Sequence, residues 1–315
     1  MIRKAAIVSI SGPILTKKEL SIIKKEKPWG IILFKRNILS EKQLTNLIKN
    51  IRKIMNDKKY PILIDEEGGK VSRLNNFCEN SVYNQKYFGD IYKLNKTIGA
   101  NIYKSYINSM SKILKRVGVN INTSPVLDLF KKNAHKVIGN RSYSENPHAV
   151  SELGKLCVKF YNKNKIATVI KHIPGHGGAN ADSHFKLPKV NEPFSKLKNK
   201  DFECFRNTSS FFAMTAHILY TKIDNKNNST HSSKIIKKII RKEIRFKGIL
   251  ISDDISMKAL KYKTIKNADL ALKAGCNLVL YCAGKTLEMK KLLLQIPNID
   301  KFTVKKTSEF YKFLS

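Results

Sequence analysis

Acidic residues are scarce in this chain. Only 24 Asp and Glu stand against 60 Lys and Arg, a net charge of +36 over 315 residues. Such a surface collects polyanions, which raises the question of a nucleic-acid partner. Arginine, however, occupies only nine positions and lysine the remaining 51. Proteins that grip phosphates or base edges lean on the planar guanidinium fork. The lysines also form no block, and they recur in nearly every segment beside abundant Ile and Asn, as an AT-rich coding bias would leave them. A solvated lysine surface without a specific nucleic-acid partner is therefore expected.

Long apolar runs are missing as well. No stretch reaches the roughly 18 residues of a membrane span, so none is expected. Ser9, Ser11, Gly12 and Pro13 interrupt the apolar start Met1–Leu15, and no small-residue cleavage site follows. That segment reads as a first strand rather than a leader. The five cysteines (Cys78, Cys157, Cys204, Cys276, Cys282) are odd in number and none is spaced C-x-x-C. Reduced thiols in a cytoplasmic protein are expected. The Asn-x-Ser/Thr triplets at Asn122, Asn207 and Asn228 then carry no glycans. There is no Pro-, Gly- or Ser-rich linker, no low-complexity tract and no long repeat. One domain over residues 1–315, and a monomer, are expected; the length suits a barrel of about 250 residues plus loops.

What the chain does have is an alternation of short apolar runs and longer amphipathic ones. The apolar runs are Ala5–Ile10, Gly30–Phe34, Ile62–Asp65, Asn120–Pro125, Ala167–His172, Phe212–His217, Gly248–Asp253 and Asn277–Tyr281. Helical patterns follow at Lys17–Lys25, Glu41–Met55, Asn95–Val117, Pro147–Asn164, Pro193–Thr208, Ser232–Ile244, Thr264–Ala274 and Lys285–Leu294. Strands alternating with helices of this length imply parallel strands joined by crossovers. Eight such units predict an α/β fold of the (β/α)8, or TIM-barrel, type. Ionisable residues also recur at the carboxyl ends of the apolar runs: Asp65, Glu66 and Glu67; Asp128; Lys171 and His172; His217; Asp253 and Asp254. A closed barrel gathers those ends on one rim, where its active site lies.

The stretch Lys171 to His184 is the richest. It leaves a predicted strand end, passes Gly175, Gly177 and Gly178, and carries His172, His176, Asp182 and His184. Glycines let a loop bend or approach a ligand closely. Cleaving a glycosidic bond requires a nucleophile or base on one side and a proton donor on the other. Asp253, at the end of an apolar strand, is the candidate nucleophile, and Asp254 should point elsewhere because strand side chains alternate. His184 is the candidate acid/base, since imidazole gives and takes protons near neutrality. Asp182 can hold that ring in one tautomer and stabilise its charged form. Asp65 can accept hydrogen bonds from sugar hydroxyls. Arg73 and Arg141 stand out as arginines in a lysine-rich chain, either as forks on a ligand or as structural ion pairs.

Together these residues resemble glycoside hydrolase family 3, most closely its bacterial β-N-acetylhexosaminidases of cell-wall recycling. The matching pieces are Gly30–Asn37, Asp65-Glu-Glu-Gly-Gly-Lys-Val-Ser-Arg73, Ser124-Pro-Val-Leu-Asp128, Gly139-Asn-Arg-Ser-Tyr143, Lys171–His184 and Ser252-Asp-Asp-Ile-Ser-Met257. They occur in the family's order, and the loop ending Asp182-Ser183-His184 is specific to the hexosaminidase branch. Asp65-Glu66 stands where Asp-Gln is commoner. The resemblance implies a retaining exo-enzyme with Asp253 as covalent nucleophile, His184 as acid/base and Asp182 as its assistant. It implies Asp65, Arg73, Arg141, Lys171 and His172 as binders of the non-reducing sugar. It further implies that terminal N-acetylglucosamine is removed from muropeptide fragments such as GlcNAc-1,6-anhydro-MurNAc, with or without peptide. No cofactor or metal is implied. A metal-dependent hydrolase using His172, His176, His184 and Asp253 is the rival, but its histidines would all come from one flexible loop.

Overall fold

The computed structural model describes residues 2–132, 138–178 and 187–315. Eight parallel strands close into a barrel: β1 (Lys4–Val8), β2 (Pro28–Leu33), β3 (Ile62–Ile64), β4 (Ile121–Asn122), β5 (Ala167–Ile173), β6 (Phe212–Thr215), β7 (Ile249–Asp254) and β8 (Leu278–Tyr281). Neighbours in sequence are neighbours in the sheet. The first strand closes on the last, with Val8 opposite Tyr281 and Ile31 of β2 opposite Ile62 of β3. Each strand is buried on both faces, inward against the packed interior and outward against helices. That is why the runs are continuously apolar rather than alternating.

All eight predicted strands and the α/β barrel class are observed. Several boundaries differ. The expected strand Asn120–Pro125 pairs regularly only over Ile121–Asn122, because Pro125 has no N–H to give a ladder. Pairing resumes as a single bridge between Val126 and Lys171. The expected helix Pro193–Thr208 is a short helix Phe194–Lys198 and a 3-10 turn Glu203–Phe205. The chain turns inward between them so that Asp201 meets the Lys131 ammonium at 3.1 Å and Phe202 packs on Tyr220. The stretch expected as Ser232–Ile244 is a π-helix over Ile235–Glu243. The wider turn lets Ile235, Ile236, Ile239 and Ile240 all bury.

Two helices went unpredicted. Gln85–Leu94 begins at an Asn84 cap whose side chain accepts from the Tyr87 amide, and it packs on the next helix, Lys96–Val117. Lys301–Leu314 carries Thr303, Thr307 and Phe310 inward. Its polar-looking buried face conceals it from an apolar-periodicity reading. The Thr307 hydroxyl accepts a hydrogen bond from the indole N–H of Trp29, the chain's single tryptophan, at 2.9 Å. Phe310 packs edge-on against Phe212 at 5.3 Å. All five cysteines are free thiols. Among the described residues no helix is long and apolar enough to cross a membrane.

The C-terminal helix therefore joins the barrel through its buried ring rather than lying loosely on it. Replacing Phe310, fully buried, by Ala should cost about 3–5 kcal/mol of stability. A matching fall in the urea midpoint, with the activity of the folded protein retained, is the expected outcome. A loss below about 1 kcal/mol would show the helix to be dispensable.

Candidate active site

The carboxyl ends of β3, β4 and β5 build one side of a hollow of about 800 Å³, counted out to its mouth. Asp65 follows β3 and is the meeting point of three donors. Its carboxylate accepts from the Arg73 guanidinium at 2.8 Å, from the Thr123 hydroxyl at 2.6 Å and from the Lys171 ammonium. Lys171, near the end of β5, also contacts Glu67 at 2.6 Å. Glu67 in turn takes both nitrogens of the Arg141 fork, at 2.7 and 2.8 Å. Two carboxylates and three cations thus alternate along one wall. Burial opposes ionisation of Asp65 and Glu67. Lys171 and Arg73 outweigh it at Asp65, and Arg141 and Lys171 at Glu67, so both carboxyls lie below the ordinary range. The same partners hold Lys171 and Arg141 above theirs against the pull of burial.

Glu66 turns the other way. It accepts from the Arg73 and Leu74 amides and from the Asn80 side chain, folding residues 66–80 back under the rim. Gly68 makes that fold possible. Its φ is +84°, and a Cβ there would stand 2.1 Å from the Tyr83 carbonyl oxygen. Beyond β4, the fully buried Asp128 accepts from the His172 ring at 2.7 Å and from the His176 amide at 2.6 Å. It fixes the entry to the glycine-rich loop and orients the His172 imidazole. Gly177 lies so close to Leu129 that a Cβ would meet its carbonyl oxygen at 2.1 Å.

The facing wall comes from β6, β7 and β8, opposite β3 in the closed order. It carries Met214, Asp253, Asp254, Met257, Leu280 and Cys282. Asp253 accepts the Asp254 amide at 2.7 Å through Oδ1. The Asp254 carboxylate is turned to the Ser256 amide and hydroxyl and to the Cys282 amide. The expected divergence of these two neighbours is observed. Burial opposes ionisation of Asp253, but the His217 and His172 imidazoles, the Asp254 amide and Lys171 hold its carboxyl below the ordinary range. Burial instead pushes Asp254 up. Of the two carboxyls, Asp253 is the one held towards its ionised form.

Six of the eight residues singled out from the sequence, Asp65, Arg73, Arg141, Lys171, His172 and Asp253, line this one hollow. Asp182 and His184 lie outside the described residues. Arg73 and Arg141 combine both readings open to them, since each is held in an ion pair and each faces the hollow. Sequence reasoning marked Glu67, Asp128 and His217 only as rim residues. Their partners come from other strands and leave no local pattern. In the apolar part of the facing wall Met257 closes the Ser252–Met257 motif, whereas Met214 and Cys282, at or just past strand ends, belong to none. Among the described residues no three His, Cys, Asp or Glu side chains converge as a metal site.

The model of the glycosyl hydrolase family 3 N-terminal domain matches residues 6–307. The chain is 32% identical over 283 residues to the β-hexosaminidase of Nitrosomonas eutropha, covering 88% of this chain and 80% of that one. It is 33% identical over 287 residues to the β-hexosaminidase of Neisseria meningitidis serogroup A, covering 89% and 78%. The chain belongs to glycoside hydrolase family 3, within its β-N-acetylhexosaminidases. Among solved structures, NagZ from Neisseria gonorrhoeae in complex with N-trifluoroacetyl-D-glucosamine superposes with a TM-score of 0.89 at 28% identity, over 98% of this chain and 90% of that one. The ion-paired wall and Asp253 face each other across one hollow at the carboxyl end of the barrel.

The buried histidine of this wall has a consequence for stability. Burial pushes His176 down to about 4, with Asp128 opposing the shift, so the folded protein keeps the ring neutral. The unfolded chain protonates it near pH 6.5. A depressed folded value means the stabilisation is complete above pH 6.5 and is lost as pH falls towards 4. The carboxyls of Asp65, Glu67, Asp128 and Asp253, all lowered, continue the loss below about pH 4. Urea unfolding at pH 7 and 4.5 should show stability falling by on the order of 1–3 kcal/mol, and His176→Gln should flatten that fall. An unchanged slope in the variant would mean the ring is protonated when folded.

Proposed function

We propose that this chain is a retaining exo-β-N-acetylglucosaminidase that releases terminal N-acetylglucosamine from muropeptide fragments such as GlcNAc-1,6-anhydro-MurNAc, in cytoplasmic peptidoglycan recycling. The observation that carries the mechanism is the division of the hollow. An ionised carboxylate stands on one wall, and fixed charges and hydrogen-bonding groups stand on the other. Asp65, Arg73, Lys171, Arg141 and His172 take the hydroxyls of the non-reducing sugar. That ring is then gripped from one side while its anomeric carbon faces Asp253. Because the polar wall is already paired and ordered, little reorganisation accompanies binding.

With Oδ1 of Asp253 engaged by the Asp254 amide, Oδ2 is the attacking oxygen. It forms a bond to the anomeric carbon as the bond from that carbon to the leaving oxygen breaks. His184, oriented by Asp182, gives its proton to the leaving oxygen. In the second half, His184 takes a proton from water, the water oxygen bonds to the anomeric carbon, and the Asp253 carboxylate leaves. Two displacements on one carbon return the original configuration. The match of the muropeptide assignment to the hexosaminidase branch rests on the loop ending Asp182-Ser183-His184.

A fluorinated N-acetylglucosamine analogue that is slow to turn over should label one peptide, the one holding Asp253. Asp253→Ala should abolish labelling and lower kcat on an aryl N-acetyl-β-glucosaminide by at least about 10³-fold while the fold survives. Label on any other carboxylate would overturn the assignment. For His184→Ala the expected loss depends on the leaving group. It should be large on disaccharide substrates and small on nitrophenyl ones, whose leaving oxygen needs little protonation. Equal losses on both would remove His184 from the acid role.

A further inference from the structure

The nucleophile's strand end is held by a residue that never touches the hollow. His217 lies just past β6 with no exposed surface and is not part of the cavity lining. Its Nε2 stands 3.0 Å from the carbonyl oxygen of Asp254. A carbonyl oxygen can only accept, so Nε2 carries the hydrogen. Nδ1 lies 2.7 Å from the Thr230 hydroxyl, which is itself 2.8 Å from the Thr215 hydroxyl. The Thr230 hydroxyl also stands 3.3 Å from the Ala216 carbonyl oxygen, so Nδ1, Thr215 and that carbonyl meet at one buried hydroxyl, while Nε2 donates to the Asp254 carbonyl. Thr215 and Thr230 are also without exposed surface, so water does not compete for these bonds.

Asp254 is thereby pinned at every polar group. Its carboxylate is held by Ser256 and Cys282, its carbonyl by His217, and its amide points at Asp253 Oδ1. The Asp253 carboxylate plane is set by that last bond, so any swing of the Asp254 backbone turns the nucleophile. We propose that His217 is a positioning residue for the glycosyl-transfer step, holding the Asp254 peptide so that Oδ2 of Asp253 faces the anomeric carbon. This rests on Asp253 being the nucleophile. The imidazole suits the task because its two nitrogens, fixed on one rigid ring, tie the Thr230 hydroxyl to the Asp254 carbonyl at the end of β7.

Two substitutions in the full-length protein separate this role from a structural one. His217→Gln keeps an N–H donor at the reach of Nε2, whereas His217→Asn is too short to reach the Asp254 carbonyl. His217→Gln should retain kcat/KM within about fivefold, and His217→Asn should lose about 10²-fold. The loss should be the same for good and poor leaving groups, because the nucleophile rather than the acid is displaced. N-acetylglucosamine should bind both variants as tightly as the parent, since the polar wall is untouched. Equal activity of the two variants, a loss that vanishes with good leaving groups, or loss of N-acetylglucosamine binding would each overturn the proposal. Should either variant fail to fold, Thr230→Val, which removes the hydroxyl partner of Nδ1, gives the same test. It is expected to lower the labelling rate with the fluorinated analogue at unchanged N-acetylglucosamine affinity, and an unchanged rate overturns the proposal. If the parent protein labels elsewhere than at Asp253, the nucleophile assignment fails. If it labels at Asp253 and His217→Asn labels equally fast, only the role of His217 fails.

Discussion

The interaction on which the site depends is the placement of one ammonium, Lys171, between two buried carboxylates, Asp65 and Glu67. A buried charge without a partner is costly, and a buried pair repays its desolvation only when its geometry is good and its remaining bonds are filled. Here they are. Thr123 fills one oxygen of Asp65, Arg73 the other, and Arg141 takes Glu67 through both nitrogens. Removing Lys171 takes a partner from both carboxylates at once. The three cations of the wall outnumber its two anions by one charge, and the facing Asp253 supplies the balancing carboxylate. After the His217 and His172 imidazoles and the Asp254 amide, Lys171 helps hold that carboxyl below the ordinary range without contacting it.

The same constraint explains the use of arginine. Six of the nine arginines have side-chain hydrogen bonds or ion pairs through more than one donor position. Arg3 bonds Asp57 and Tyr311, Arg36 holds Ser9 and Cys282, and Arg241 spans Phe246, Gly248 and Asn277. Arg116, Arg141 and Arg206 also bond through two nitrogens, whereas Arg52 and Arg73 each bond through one, to Gly118 and Asp65. Lysine prevails where a solvated point charge suffices. The exceptions are lysines such as Lys171 and Lys131, each of which bridges two carboxylates with a rotatable ammonium. The net charge of +36 thus describes the solvent-facing shell, and the chemistry of the rim is set by a small buried set that the composition does not reveal.

The barrel was legible because each strand is sheathed on both faces, which forces a short uninterrupted apolar run ended by a polar residue. The rim was legible for the same reason: Asp65, Lys171, His172 and Asp253 are the polar residues that end such runs. Arg73 and Arg141 stood out by scarcity and motif. Glu67 and Asp128 were visible as acids but not as partners, since Glu67 acquires meaning only when Arg141, 74 residues away, folds back onto it. The C-terminal helix was hidden because Thr303 and Thr307 present hydroxyls to the core, Thr307 to meet the Trp29 indole. A periodicity of apolar residues cannot register a buried face in which two of three residues are threonine.

Asp253 and Asp254 show how little of a role resides in residue type. They are adjacent, chemically identical and both at the lip of the same strand. One is ionised because imidazoles, an amide and a distant ammonium outweigh its burial, and it keeps one oxygen free towards the hollow. The other spends its carboxylate on Ser256 and Cys282 and its carbonyl on His217, and burial raises it. Exchanging the two roles would require moving three strands, because the groups that distinguish them are delivered by β5, β6 and β8. The difference between two neighbouring aspartates is thus a property of the strand order, which sets β6 and β8 on either side of β7 and β5 one strand beyond.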